Sequence, residues 1–144
     1  MKNLIEYALK FIGVPYKWGG NNPMTGFDCS GLVQFILQSV GVDPRGDQTA
    51  QLLHDLLLAN GGRVIADPAP GAICFYGKTP SSISHVSFCL SRYQIIEAGG
   101  GDSTTVSVVE AARRDACVRV RVADGRKDRV EIVLPNYPVW VTND

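Results

Sequence analysis

The chain has 144 residues, 45% hydrophobic and 19% charged, and its 14 basic and 14 acidic side chains cancel. That is enough chain to bury a core and enough apolar content to fold, so a single domain over residues 1–144 is expected. Zero net charge removes general attraction to nucleic acid or to an anionic membrane surface as a lead, and no apolar run approaches the roughly 18 residues of a membrane span.

The first element expected is a helix over Asn3–Ile12, where Leu4, Ile5, Ala8, Leu9 and Ile12 recur at helical spacing. Asn3 is its expected cap, paired with Glu6, and Gly13 its stop. Glu6 and Lys10 also interrupt any signal-peptide core, so synthesis in the cytoplasm without the general secretory route is the expectation. Val14–Pro23 follows, rich in turn formers. Its aromatics, Tyr16 and Trp18, read from the loop alone as packing groups.

Phe27-Asp28-Cys29-Ser30-Gly31 organises the rest. The apolar run Leu32–Leu37 predicts a buried helix from about Asp28 to Val40, closed by Gly41. Asp28 is a good N-cap, which puts Cys29 first in the helix. A helix start offers partial positive charge and unpaired N–H donors. Thiols in such places ionise readily, and the donors can hold an oxyanion. On this stretch alone a nucleophile and a small buried hydrophobe are equally supported.

A third helix is predicted over Gln48–Asn60. His54 lies at the edge of its Leu52, Leu53, Leu56, Leu57 face, as a partly exposed surface histidine. Beyond Asp67–Gly71 the pattern turns to strands at Ala72–Tyr76, His85–Leu90, Tyr93–Ala98, Val106–Val109, Cys117–Val122 and Val130–Leu134, with a polar loop at Gly77–Ser84. In Cys117–Val122, Arg119 and Arg121 alternate with valines and mark a wet face. Gly99-Gly100-Gly101 marks a bend or a close approach. Helices first and strands after argue an α+β fold, helices packed on an antiparallel sheet.

The remaining cysteines, Cys74, Cys89 and Cys117, form no C-x-x-C pair with each other or with Cys29. They give little support to a zinc site or to a disulfide framework; no metal is assigned. A cysteine nucleophile needs a base, and the base needs a group that fixes its tautomer. His85 leads a strand at a loop mouth. Glu97 is twelve residues on, in the returning strand, an even offset that puts both on one face if the hairpin register sets 85 opposite 97. That register demands a three- or five-residue loop centred on Ser91, or a bulge.

Taken together these stretches resemble the NlpC/P60 family of papain-like cysteine peptidases. The resemblance runs through Pro15-Tyr16-Lys17-Trp18-Gly19-Gly20, Phe27-Asp28-Cys29-Ser30-Gly31-Leu32-Val33, Pro70-Gly71-Ala72-Ile73, Ser84-His85-Val86 and Ile95-Ile96-Glu97-Ala98. It spans roughly residues 3 to 110; nothing after that is matched. It implies a papain-like fold and hydrolysis of amide bonds in peptidoglycan stem peptides, of the D-γ-glutamyl–diamino acid type. Cys29 is then the nucleophile, His85 the base and Glu97 the orienting third member, at a position where histidine is commonest in the family. Tyr16, Asp28 and Ser30 match positions beside the thiol and the substrate cleft. No cofactor is implied. Small domains of this kind resemble phage peptidases, so phage tail or lysis proteins are the expected partners. A cytosolic amidase or acyltransferase on the same fold, and a non-catalytic tail assembly module, are the alternatives.

Overall fold

Leu4 and Ala8, one turn apart, bury the inner side of α1 (Lys2–Leu9). Its N-cap is Met1, so the expected Asn3–Glu6 cap is not made. Asn3 lies inside the first turn and donates its backbone N–H to Asp144. The chain then turns at Gly13, whose N–H donates to the Val118 carbonyl at 2.8 Å. The computed structural model describes residues 1–144.

A short ribbon, β1 (Asn21–Asn22) and β2 (Gly26–Phe27), precedes α2 (Cys29–Gln38). Leu32, Val33, Ile36 and Leu37 of α2 are fully buried in the larger core. An aromatic cluster fixes α2 against α1: Phe11 meets Phe35 and Tyr7 edge-on, with ring centroids 5.4 and 5.0 Å apart. Pairs of this kind contribute about 0.5–1.5 kcal/mol beyond the area they bury. α3 (Ala50–Ala59) is capped by the Thr49 hydroxyl, which accepts from Leu52 N–H.

The strands are β3 (Arg63–Val64), β4 (Ile73–Thr79), β5 (Ser82–Cys89) and β6 (Gln94–Gly99). After α4 (Val108–Arg113) come β7 (Cys117–Val122), β8 (Arg129–Leu134) and the terminal turn α5 (Val139–Thr142). β3 to β8 form one antiparallel sheet in the order β3-β8-β4-β5-β6-β7. The helices-then-sheet layout is the one expected from sequence. No helix is long and apolar enough to cross a membrane.

Two expected elements differ. Gly77–Ser84 is not a loop but the end of β4 and the start of β5, with register shifts around Gly77. The α3 side chain of Gln51 clamps this hairpin: it accepts from Ile83 N–H at 2.8 Å and donates to the Pro80 carbonyl at 2.9 Å. That tertiary contact supports strand pairing in a polar stretch. Val106–Val109 is not a strand. Ser107 accepts from Glu110 N–H and starts α4, leaving Val106, Val108 and Val109 exposed.

The sheet has two apolar faces. Phe75, Val86, Phe88, Ile96 and Val133 belong to the larger core beneath the helices. Cys74, Tyr76, Cys89, Ile95 and Ile132 form a smaller core on the other face. The alternation is the period of two that a strand imposes. It decides where each polar side chain of the sheet can act.

Candidate active site

Asp28 is the N-cap of α2, and Cys29 its first residue. Asp28 Oδ1 accepts from Gly31 N–H at 2.7 Å and from the Ser30 hydroxyl at 3.3 Å; Oδ2 accepts from Gly19 N–H at 3.1 Å. Burial raises the Asp28 carboxyl above its ordinary value, and these three donors offset only part of that rise. One carboxylate therefore ties the helix start to the Tyr16–Gly20 loop. Asp28 and Ser30 both border the cleft, but both Asp28 oxygens are already engaged by the protein.

The first N–H groups of a helix have no partner within it. Here Asp28 takes those of Gly31, through its side chain, and of Leu32, through its carbonyl. Those of Cys29 and Ser30 are left for an oxyanion beside the thiol. Gly31 is required: a Cβ there would run into the Gly20 carbonyl. The Cys29 thiol is free and half-buried.

Tyr16 is buried and borders the same cleft. Its ring lies where a Cβ on Gly101 would be, which is the close approach expected of the triple glycine. Burial, then the nearby Cys29 and Asp28, push its phenol pKa upward, keeping it a neutral hydrogen-bond donor next to the thiol.

His85 is in the middle of β5, opposite Tyr76, not at a strand start as expected. Its Nε2 lies 2.7 Å from Glu97 Oε2, which leaves Nδ1 for the Cys29 side. The hairpin is centred on Arg92, not Ser91, because the ladder pairs Phe88 with Ile96 and Cys89 with Ile95, with Leu90–Gln94 between them. In that register Glu97 is diagonal to His85, not opposite. The even offset still puts both on one face, and a diagonal neighbour is within reach of long side chains. The β5–β6 ladder is confined to those two pairs, and α2 packs against both strands. Cys29, His85 and Glu97 consequently line one cleft of about 1180 Å³.

Burial alone would push the His85 ring down. The Cys29 thiol and the Glu97 carboxylate outweigh it, and His85 is held at about 9. Glu97 is only 4% exposed. Burial pushes its carboxyl up, but His85, then Arg121 and Arg126, bring it below the ordinary value. The arrangement can therefore keep an imidazolium beside a thiol at neutral pH, the condition for a thiolate nucleophile.

His54 corrects another expectation. It is 5% exposed, not a surface residue. Nδ1 is 2.7 Å from Asp55 and Nε2 is 2.8 Å from Glu131 of β8, 77 residues away. Cys74 and Cys89 are buried, as expected for core thiols. No group of three or more His, Cys, Asp or Glu is placed to hold a metal ion.

Sequence reasoning missed the far end of the cleft. Arg121, Gly125 and Arg126 border it, with Arg121 Nε 3.5 Å from Glu97 Oε1. The alternation of Cys117–Val122 marked Arg121 as wet, but nothing local said what its face looks onto.

A profile described as the NlpC/P60 family matches residues 13–122. The chain is 40% identical over 88 residues to the bifunctional muramidase/DL-endopeptidase CwlT of Bacillus subtilis, covering 59% of this chain and 25% of that protein. It is 35% identical over 133 residues to the peptidoglycan endopeptidase RipB of Mycobacterium tuberculosis, covering 77% of this chain and 50% of that one. It thus spans half or less of these relatives' lengths. Among solved structures, the NlpC/p60 domain of the peptidoglycan hydrolase SagA superposes with a TM-score of 0.65 at 25% identity, covering 90% of this chain and 94% of that one.

Proposed function

This chain belongs to the NlpC/P60 family, and we propose that it is a cysteine endopeptidase that cleaves peptidoglycan stem peptides at the bond between D-γ-glutamyl and a diamino acid. The observation that carries the reading is the convergence of Cys29, His85 and Glu97 on one cleft at the start of α2. The similarity to CwlT and RipB supports the substrate class. We read residues 1–144 as one catalytic domain.

Each step uses a group already placed. The Cys29 thiolate attacks the scissile carbonyl carbon, and the oxyanion is held by the N–H groups at the start of α2. Imidazolium His85 gives its proton to the leaving amine as the C–N bond breaks, and Glu97 holds the ring so that Nδ1 faces the reaction. Neutral His85 then takes a proton from water, which attacks the thioester and releases the acid and Cys29.

Mass spectrometry of muropeptides digested with the purified protein tests the reading. The expected products are a fragment ending in γ-D-glutamate and one with a new free amine on the diamino acid. Cys29→Ser should leave the muropeptides intact. Intact muropeptides with the unaltered protein would overturn the reading. Turnover of simple acyl donors instead would favour an acyltransferase, and failure of Cys29 to react with iodoacetamide a non-catalytic module.

A further inference from the structure

We propose that the basic end of the cleft, Arg121 assisted by Arg126, is a subsite for a free carboxylate on the leaving-group half of the peptide. The inference rests on the peptidase reading above and specifies which stem peptides fit it.

The position follows from the reaction. The leaving nitrogen must approach His85 to be protonated, so the peptide beyond the scissile bond continues past His85, away from Cys29. In that direction lie Glu97, 2.7 Å from the imidazole, and then Arg121, 3.5 Å from Glu97. β7 and the turn after it carry Arg121, Gly125 and Arg126 along the cleft wall.

The donors are available. The Arg121 side chain is 51% exposed and its sole ionic contact is through Nε, so both terminal nitrogens are unpaired. Arg126 is fixed in place: Nε and Nη2 donate to Asp128 at 2.8 and 2.7 Å, and its guanidinium lies 4.7 Å from the Tyr76 ring centre. Tyr76 in turn sits beside His85, ring centres 5.4 Å apart. One terminal nitrogen of Arg126 is left over. Two arginines face one buried carboxylate, Glu97, and a guanidinium fork matches a carboxylate in shape as well as charge. A carboxylate on the leaving half of the peptide is thus met by these two guanidinium groups. Asp47 and Asp102 also border the cleft, and Asp102 is ion-paired with Arg114 at 2.8 Å.

Two carboxylates on the leaving half of a stem peptide are candidates, one at the end of the leaving residue's side chain and one on the following residue.

The test uses three tetrapeptides, L-Ala-γ-D-Glu-meso-diaminopimelate-D-Ala unmodified, with the side-chain carboxyl amidated, and with the C-terminal carboxyl amidated, digested by the full chain. The unmodified peptide is expected to exceed one amidated form about tenfold or more in kcat/KM, mainly through KM, as for a charge-assisted hydrogen bond. Whichever amide is slow identifies the carboxylate that is read. Arg121→Gln should erase that preference, Arg121→Lys should keep part of it, and Arg126→Gln should weaken it. Equal rates on all three peptides would overturn the subsite while leaving the peptidase reading intact. So would an Arg121→Gln loss that is equal for all three and lies in kcat, the signature of an arginine that only steadies Glu97. If none of the three peptides is cleaved, the peptidase reading falls and the subsite with it.

Discussion

Two histidines lie against this sheet, and each has a glutamate within 2.8 Å of its Nε2. His54 reaches Glu131 from α3, on the face covered by helices, with its ring edge-on to Phe75 at 5.0 Å. His85 meets Glu97 on the opposite face, beside Tyr76. His54 has carboxylates at both nitrogens. His85 has one carboxylate and, on its other side, a thiol and a cleft. A histidine–carboxylate pair is therefore not a site in itself. The same pair fastens a helix to a sheet where both nitrogens are used up, and becomes a proton donor and acceptor where one nitrogen is kept for a reacting group.

The comparison is broken most directly by deleting each ring. His85→Ala should lower kcat/KM on muropeptides at least about a thousandfold, within the range for removing a general acid–base, and leave the melting curve cooperative. His54→Ala should leave kcat/KM of the folded protein within about twofold. It should cost about 1–3 kcal/mol of stability in urea unfolding, because Glu131 loses its partner. Loss of turnover in folded His54→Ala would show that the division of labour is wrong.

Exchanging the carboxylates for amides sharpens it. Glu97→Gln keeps an acceptor oxygen but loses the charge that raises His85. Activity should fall roughly ten- to a hundredfold, less than for Cys29→Ser. The sign for pH follows from the direction: a raised ring pKa holds the imidazolium until pH passes about 9, so without Glu97 the alkaline limb of the rate profile should move to lower pH. Glu131→Gln should leave that limb in place. An unmoved limb in Glu97→Gln would remove Glu97 from the third role.

Reactivity separates the thiols near these faces. Brief iodoacetamide treatment at neutral pH should label Cys29 and spare Cys74 and Cys89, which are fully buried; equal labelling would overturn the choice of nucleophile. The smallest effect is on stability. His85 has a folded pKa of about 9 against ~6.5 unfolded. Its contribution is complete below about pH 6.5 and fades as pH rises through 9. A pH series of urea midpoints should show this alkaline decline in the native protein and a flatter one in His85→Ala.

The half of the site that was legible in sequence is the local half. Asp28 before Cys29 and an apolar run after it specify a capped helix within a few residues. The even spacing of His85 and Glu97 carried their shared face, but not their register, since the loop is centred on Arg92 and no residue in it dictates that. His54 was misread because its partner in β8 is 77 positions away, and helical periodicity records burial against neighbours, not a hydrogen bond across the sheet. Arg121 was missed for the same reason. α4 was legible and passed over: Ser107 with Glu110 three residues later is a capping signature, and the valines around it drew the reading to a strand.

The glycine contact at the start of α2 has a consequence for motion. Gly31 N–H, Asp28 N–H and Gly20 N–H are bonded to Asp28, Gly20 and Lys17 in turn, and the Gly31–Gly20 contact admits no side chain. Loop and helix start are thereby coupled, so neither can open without the other. Amide hydrogens along this segment are expected to exchange with solvent through one shared opening.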